Sequence, residues 1–101
     1  RLFETDPSGA LIEYKATAIG SGRPTAVEMF EKSYKEGMGR EDAIDLALSV
    51  MNEVTDGKLS EETVELADVD GKTQEFRKLS PSEVKDYIAK VKRKSPPKEE
   101  E

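Results

Sequence analysis

The segment from Leu2 to Ile19 constrains the fold of this chain more than any other. Asp6-Pro7-Ser8-Gly9 has turn chemistry: an aspartate that can bond nearby backbone, a proline that fixes φ, and a glycine that tolerates a left-handed conformation. Leu2 to Thr5 is short and extended, and Ala10 to Ile19 reads as the returning strand of a hairpin. Alternation puts Ile12, Tyr14, Ala16 and Ala18 on one face of that strand, and Leu11, Glu13, Lys15, Thr17 and Ile19 on the other. Both faces carry apolar residues. Such a strand needs a layer on each side, and a chain of 101 residues hardly supplies the second. The missing layer is expected upstream of Arg1, and the chain reads as part of something longer.

The remaining elements follow from local chemistry. Gly20-Ser21-Gly22 ends the strand, and Pro24 suits a first helical turn because its missing N–H costs nothing there. Val27, Phe30 and Tyr34 recur at helical spacing until Gly37 and Gly39 interrupt. A second helix begins near Arg40, with Glu41 and Asp42 near its positive end and a stripe of Ile44, Ala47, Leu48 and Met51. Asp56-Gly57 closes it. Thr63 to Val69 and Lys72 to Lys78 are expected as strands about a two-residue Asp70-Gly71 turn. Ser80-Pro81-Ser82-Glu83 then forms a capping box ahead of a helix whose apolar face is Val84, Tyr87, Ile88 and Val91. The order is β-β-α-α-β-β-α, an α+β arrangement of one antiparallel sheet layer under helices. Residues 1–94 form the domain portion, and 95–101 a disordered charged tail.

Composition excludes several functions. The net charge of −6 disfavours broad phosphate binding, so no nucleic-acid partner is expected, and it does not suggest an anionic membrane surface. Without cysteine there is no disulfide scaffold or thiolate nucleophile, and without histidine the commonest metal ligand and neutral-pH proton carrier is missing. The hydrophobic fraction of 35% is low and the charged fraction of 38% high, which implies a thin core in need of a partner surface.

Leu2-Phe3-Glu4-Thr5-Asp6-Pro7-Ser8-Gly9-Ala10 and Glu13-Tyr14-Lys15-Ala16-Thr17-Ala18-Ile19-Gly20-Ser21-Gly22-Arg23 closely resemble the C-terminal portion of archaeal proteasome alpha subunits. The likeness continues through Glu41 to Leu48, Lys58 to Glu65 and Leu79 to Val84, and covers residues 2 to 93. The Asp-Pro-Ser-Gly hairpin is shared with the beta subunits; Glu13 to Ile19 followed by Arg23 looks alpha-like. The resemblance implies the N-terminal-nucleophile hydrolase α/β sandwich, in a non-catalytic subunit of the cytoplasmic 20S core particle. It implies outer seven-membered rings that meet beta subunits, admit unfolded polypeptide and dock ATPase activators. The family's gating tail, first helices and activator-pocket lysine would all precede Arg1. The alternatives are a beta-type threonine-protease subunit, another self-compartmentalising hydrolase, or a small protein-binding domain.

No catalytic residue is assigned. Catalysis by an N-terminal nucleophile needs a free α-amine beside the hydroxyl, and Thr5, Thr17, Thr25, Thr55, Thr63 and Thr73 are internal. Gly20-Ser21-Gly22 lacks the third glycine or alanine of a dinucleotide fingerprint, since Thr25 stands there, and reads as a tight connection. Glu65, Asp68 and Asp70 lack calcium-loop spacing, and Lys90, Lys92, Arg93 and Lys94 read as a solvated helix end. No cofactor or metal is expected. Charged neighbours around Tyr14 in mid-strand are costly if buried unpaired, so the interface candidates are Glu13, Lys15 and Arg23.

Overall fold

The computed structural model describes residues 1–94; the charged tail expected at 95–101 lies outside the described residues. Seven elements run in the expected order: β1 (Leu2–Thr5), β2 (Leu11–Tyr14), α1 (Arg23–Ser33), α2 (Arg40–Val54), β3 (Ala67–Val69), β4 (Phe76–Lys78) and α3 (Pro81–Lys94).

Three details differ from the sequence reading. The hairpins do not merge into one sheet. β1 pairs only with β2, and β3 only with β4, so the chain holds two separate two-stranded antiparallel ribbons. The second strand also ends early, at Tyr14, because β1 offers only four residues to pair with it, and Lys15 to Ile19 continues without a ladder. Finally, the β3–β4 turn is wider than two residues. The Asp70 carboxylate accepts from the amides of Lys72 and Thr73, at 2.8 and 2.9 Å. That winds the chain into a loop which closes through Asp70 N–H to the Glu75 carbonyl, with Gln74 at φ 61°.

Helix α2 is the hub, packing against α1 on one side and α3 on the other. The main core is Ile44 and Leu48 of α2, Val84, Ile88 and Val91 of α3, and Leu59, Val64 and Leu79 from the segments between them. These positions repeat every three or four residues along each helix, so each buries one stripe. Neither ribbon brings its backbone against a helix. The result is open for its length: the radius of gyration is 14.6 Å, where a compact domain of this size has about 13 Å.

The helix ends explain where the elements stop. At the C-terminus of α2, Thr55 Oγ1 donates to the Met51 carbonyl. Asp56 and Gly57 then turn left-handed, at φ 56° and 79°, so that Gly57 N–H reaches the Asn52 carbonyl. At the start of α3 the capping box forms as read from the sequence. Glu83 N–H donates to Ser80 Oγ at 3.2 Å, and Ser80 N–H to Glu83 Oε1 at 2.9 Å. Ser80→Ala removes one of these two bonds at a helix that supplies three core residues. Thermal unfolding followed by circular dichroism should show a loss of about 1 kcal/mol.

Candidate interaction surface

The β1–β2 hairpin projects from the packed helices, and its register fixes what each face presents. Leu2 lies opposite Tyr14 and Glu4 opposite Ile12; Phe3 lies opposite Glu13 and Thr5 opposite Leu11. Cross-strand partners share a face, so one side carries Leu2, Glu4, Ile12 and Tyr14, and the other Phe3, Thr5, Leu11 and Glu13. Leu2, Phe3, Leu11 and Ile12 are all exposed, and Ile19, just beyond the hairpin, is 83% exposed. The second ribbon repeats the pattern with the facing pair Val69 and Phe76, at 61% and 69%. Exposed large apolar side chains are thus concentrated on and beside the two ribbons, with Met51 of α2 joining them among the described residues. Patches of this kind mark surfaces built to be covered.

The turn that holds the hairpin is a side-chain device. The Asp6 carboxylate accepts from the Ser8 hydroxyl, from Ser8 N–H at 2.9 Å and from Ala10 N–H at 3.3 Å. The Ser8 hydroxyl, followed by the Ser8 backbone amide, holds the Asp6 carboxyl below its usual value of 3.8. A carboxylate depressed in the folded state stabilises fully above its unfolded pKa and loses that contribution as pH falls through the folded value. The turn is therefore expected to keep its geometry down to about pH 4 and to loosen below it. The amide shift of Ser8 in an NMR pH titration reports this, and a midpoint at or above the ordinary aspartate value would contradict it.

Each interface candidate from the sequence has a partner inside the chain. Glu13 receives two bonds from the Arg1 guanidinium, at 3.0 and 3.1 Å, which hold its carboxyl below the usual range. Lys15 Nζ lies 3.3 Å from Glu36, and that carboxylate raises its pKa. Arg23 is the most engaged. Its Nη1 donates to both Glu4 oxygens, at 3.1 and 3.2 Å, and to the Ala18 carbonyl at 3.1 Å; its Nη2 donates to Tyr14 Oη at 3.1 Å. The Tyr14 hydroxyl first, then Glu4, raise its pKa further. Arg23 opens α1, where a cation opposes the helix dipole, and the Glu4 carboxylate beside it compensates. It pins the hairpin to α1.

The structure joins Arg23 to Tyr14 but does not gather Glu13, Lys15 and Arg23 into one patch. Glu13 sits on the face opposite Tyr14, and Lys15 reaches toward the loop after α1. The sequence reading missed Glu4, since an isolated glutamate in a short strand carries no mark of a partner 19 residues away. Glu65, Asp68 and Asp70 do not converge on one point. Asp68 meets Arg40 and Arg77, Asp70 caps its own loop, and Glu65 lies 3.6 Å from Lys78. Among the described residues no group of three or more carboxylates is placed to hold a metal ion.

The connection after the hairpin uses its glycines differently. Gly20 has φ +109°, a conformation side chains rarely adopt. Gly22 has an ordinary backbone but lies so close to α2 that a Cβ there would meet Val54 Cβ at 3.0 Å and Cγ1 at 3.1 Å. Gly22 is thus a packing junction against α2.

Comparison with known proteins identifies this surface's context. The family model described as "Proteasome subunit" matches residues 1–69. The chain is 50% identical over its full 101 residues to a protein of Methanothermobacter thermautotrophicus named "Proteasome subunit alpha", of which it covers 41%. It is 47% identical over 91% of its length to the protein of that name from Methanoregula boonei, covering 38% of it. For the Methanosarcina thermophila protein the identity is 50% over 90% of this chain and 37% of the relative. The chain thus spans about two fifths of the length of the curated relatives it matches.

Proposed function

We propose, from the premise that this chain belongs to the proteasome subunit family and is of its alpha type, that it is part of a non-catalytic ring subunit of a 20S core particle. Its role is architectural. The 50% identity to an alpha subunit over an alignment spanning all 101 residues carries this reading. The exposed ribbons support it: strands with apolar residues on both faces suit the interior of a layered subunit. The occupant of those faces is the remaining three fifths of the alpha-type chain, which the relatives possess and this chain does not include. With that layer in place the subunit would join other alpha subunits in an outer sevenfold ring, stack on beta subunits and support the entry of unfolded polypeptide. Peptide-bond cleavage would belong to the beta partners, and capture of an ATPase activator to the alpha-type residues that precede this segment. The cytoplasm is the compartment in which such a particle works.

A chimera tests the proposal. The matching segment of the Methanothermobacter thermautotrophicus alpha subunit is replaced by this chain and expressed with the beta subunit. Native mass spectrometry should find sevenfold rings, alone or stacked on beta rings. A chimera that stays a folded monomer in the presence of beta subunits would overturn the assignment.

A further inference from the structure

Strand alternation spans residues 10–19, but only Leu11–Tyr14 form a strand. Directly after β2 the chain bends at Lys15 and Ala16 and folds back, so that Arg23 meets the hairpin again. The Arg23 guanidinium then touches both strands and the returning segment: Glu4 of β1, Tyr14 of β2 and the Ala18 carbonyl. The other tie is an exposed pair, Lys15 to Glu36 at 3.3 Å. The folded-back segment itself is poorly satisfied. Ile19 is largely exposed, and Thr17 Oγ1 is buried with no hydrogen-bond partner among the described residues.

The register shows what an extended segment would meet. Leu2 lies opposite Tyr14, and each step back along β1 moves the partner one step on along β2. Lys15 would therefore face Arg1, and residues 16–19 the four residues that precede Arg1 in a longer alpha-type chain. Such a strand cannot coexist with the Arg23 contacts. Prolonged to Gly20, it would carry that residue about 26 Å from Ile12, which lies opposite Glu4. The turn bond from Arg23 N–H to the Gly20 carbonyl keeps Arg23 beside Gly20, out of reach of Glu4. We infer that Arg23 is a releasable clamp. It holds residues 15–19 folded back in this chain, and lets go when the residues preceding Arg1 prolong β1 and pair with residues 16–19. The inference rests on the reading above, in which the rest of an alpha-type chain covers this hairpin. Release exchanges the clamp for a ladder of backbone bonds and a partner face for Ile19. The Arg23 and Glu4 side chains are each 34% exposed, which keeps their ion pair weak enough to be exchanged.

The chain contains no cysteine, so two introduced thiols can carry spin labels. Thr5→Cys on β1 and Thr25→Cys on α1 are both exposed and make no contact within the clamp. Their separation is measured by double electron–electron resonance in the isolated chain and in the ring-forming alpha-subunit chimera, with any thiols of the donor part changed to serine. The isolated chain should give one short separation, and the assembled chimera one longer by about 10 Å or more. In the isolated chain, Arg23→Gln should broaden the distribution toward longer separations, with the helical circular dichroism unchanged because the main core lies elsewhere. Glu4→Gln, which leaves α1 untouched, should do the same. Narrow, unshifted distributions in both variants overturn the clamp. Rings in which the separation stays short overturn its release and leave the ring reading standing. Absence of rings from the unlabelled chimera overturns the ring reading, and this inference with it.

Discussion

Leu48→Ala should lower the stability of this chain by about 3 kcal/mol, within the range seen when a fully buried leucine is truncated. Leu48 is 1% exposed and sits in α2, the element that packs against both neighbouring helices. Its side chain meets a cluster drawn from α2, α3 and the segments around Leu59, Val64 and Leu79. Filling a cavity there would require one of these packed elements to shift. Among the described residues ten apolar side chains are buried, so each carries a large share of the stability. Small domains have little to spare. Urea unfolding followed by circular dichroism should show the midpoint falling steeply, with no cooperative transition if the margin is exceeded. A loss below about 1 kcal/mol would mean that the core is not where the structure places it.

Gly22→Ala should cost about 1–3 kcal/mol, the scale of an extra methyl forced into a packed contact. The backbone at Gly22, φ −85° and ψ 5°, suits any residue, so the cost is not conformational. It comes from Val54, whose Cβ and Cγ1 lie 3.0 and 3.1 Å from the new methyl. Val54 is branched and part of α2, so relief requires the α1 and α2 ends to separate. The companion change Val54→Ala deletes Cγ1, the atom at 3.1 Å, and Cγ2 at 3.5 Å, though the Cβ contact stays. A double-mutant cycle should therefore show favourable coupling between the two substitutions, with part of the lost stability restored. Strict additivity would show that the two segments do not meet. Gly20→Ala, in open space at φ +109°, would be strained for the other reason, and no change at Val54 should rescue it.

The elements most legible in the sequence are those whose cause is local. The Ser80–Glu83 capping box, the Asp56-Gly57 helix stop and the Asp6-Pro7-Ser8-Gly9 turn depend on residues within five positions of one another, and each formed as read. Strand length was not legible, because it depends on the partner: Ala10 to Ile19 alternates for ten residues, but β1 pairs with only four. The expected single sheet failed for the same reason, since nothing in Leu2–Tyr14 or Ala67–Lys78 specifies which strand pairs at its outer edge. At Glu13, Lys15 and Arg23 the sequence marked charges as interface candidates needing partners. It could not show that Arg1, Glu36 and Glu4 supply them within the chain. The Arg40–Asp68 ion pair joins residues 28 apart in sequence and left no pattern at all.

The most direct measurement is amide hydrogen exchange over Leu11 to Ile19, read by mass spectrometry in the isolated chain and in the alpha-subunit chimera assembled with beta subunits. In the isolated chain these residues have one short partner strand and exposed apolar side chains, and fast exchange is expected. In the assembled particle the same peptides should become among the slowest to exchange, because both faces and the free strand edge are then covered. Equal, fast exchange in both states would contradict the claim that this hairpin is built to be covered by the rest of an alpha-type subunit.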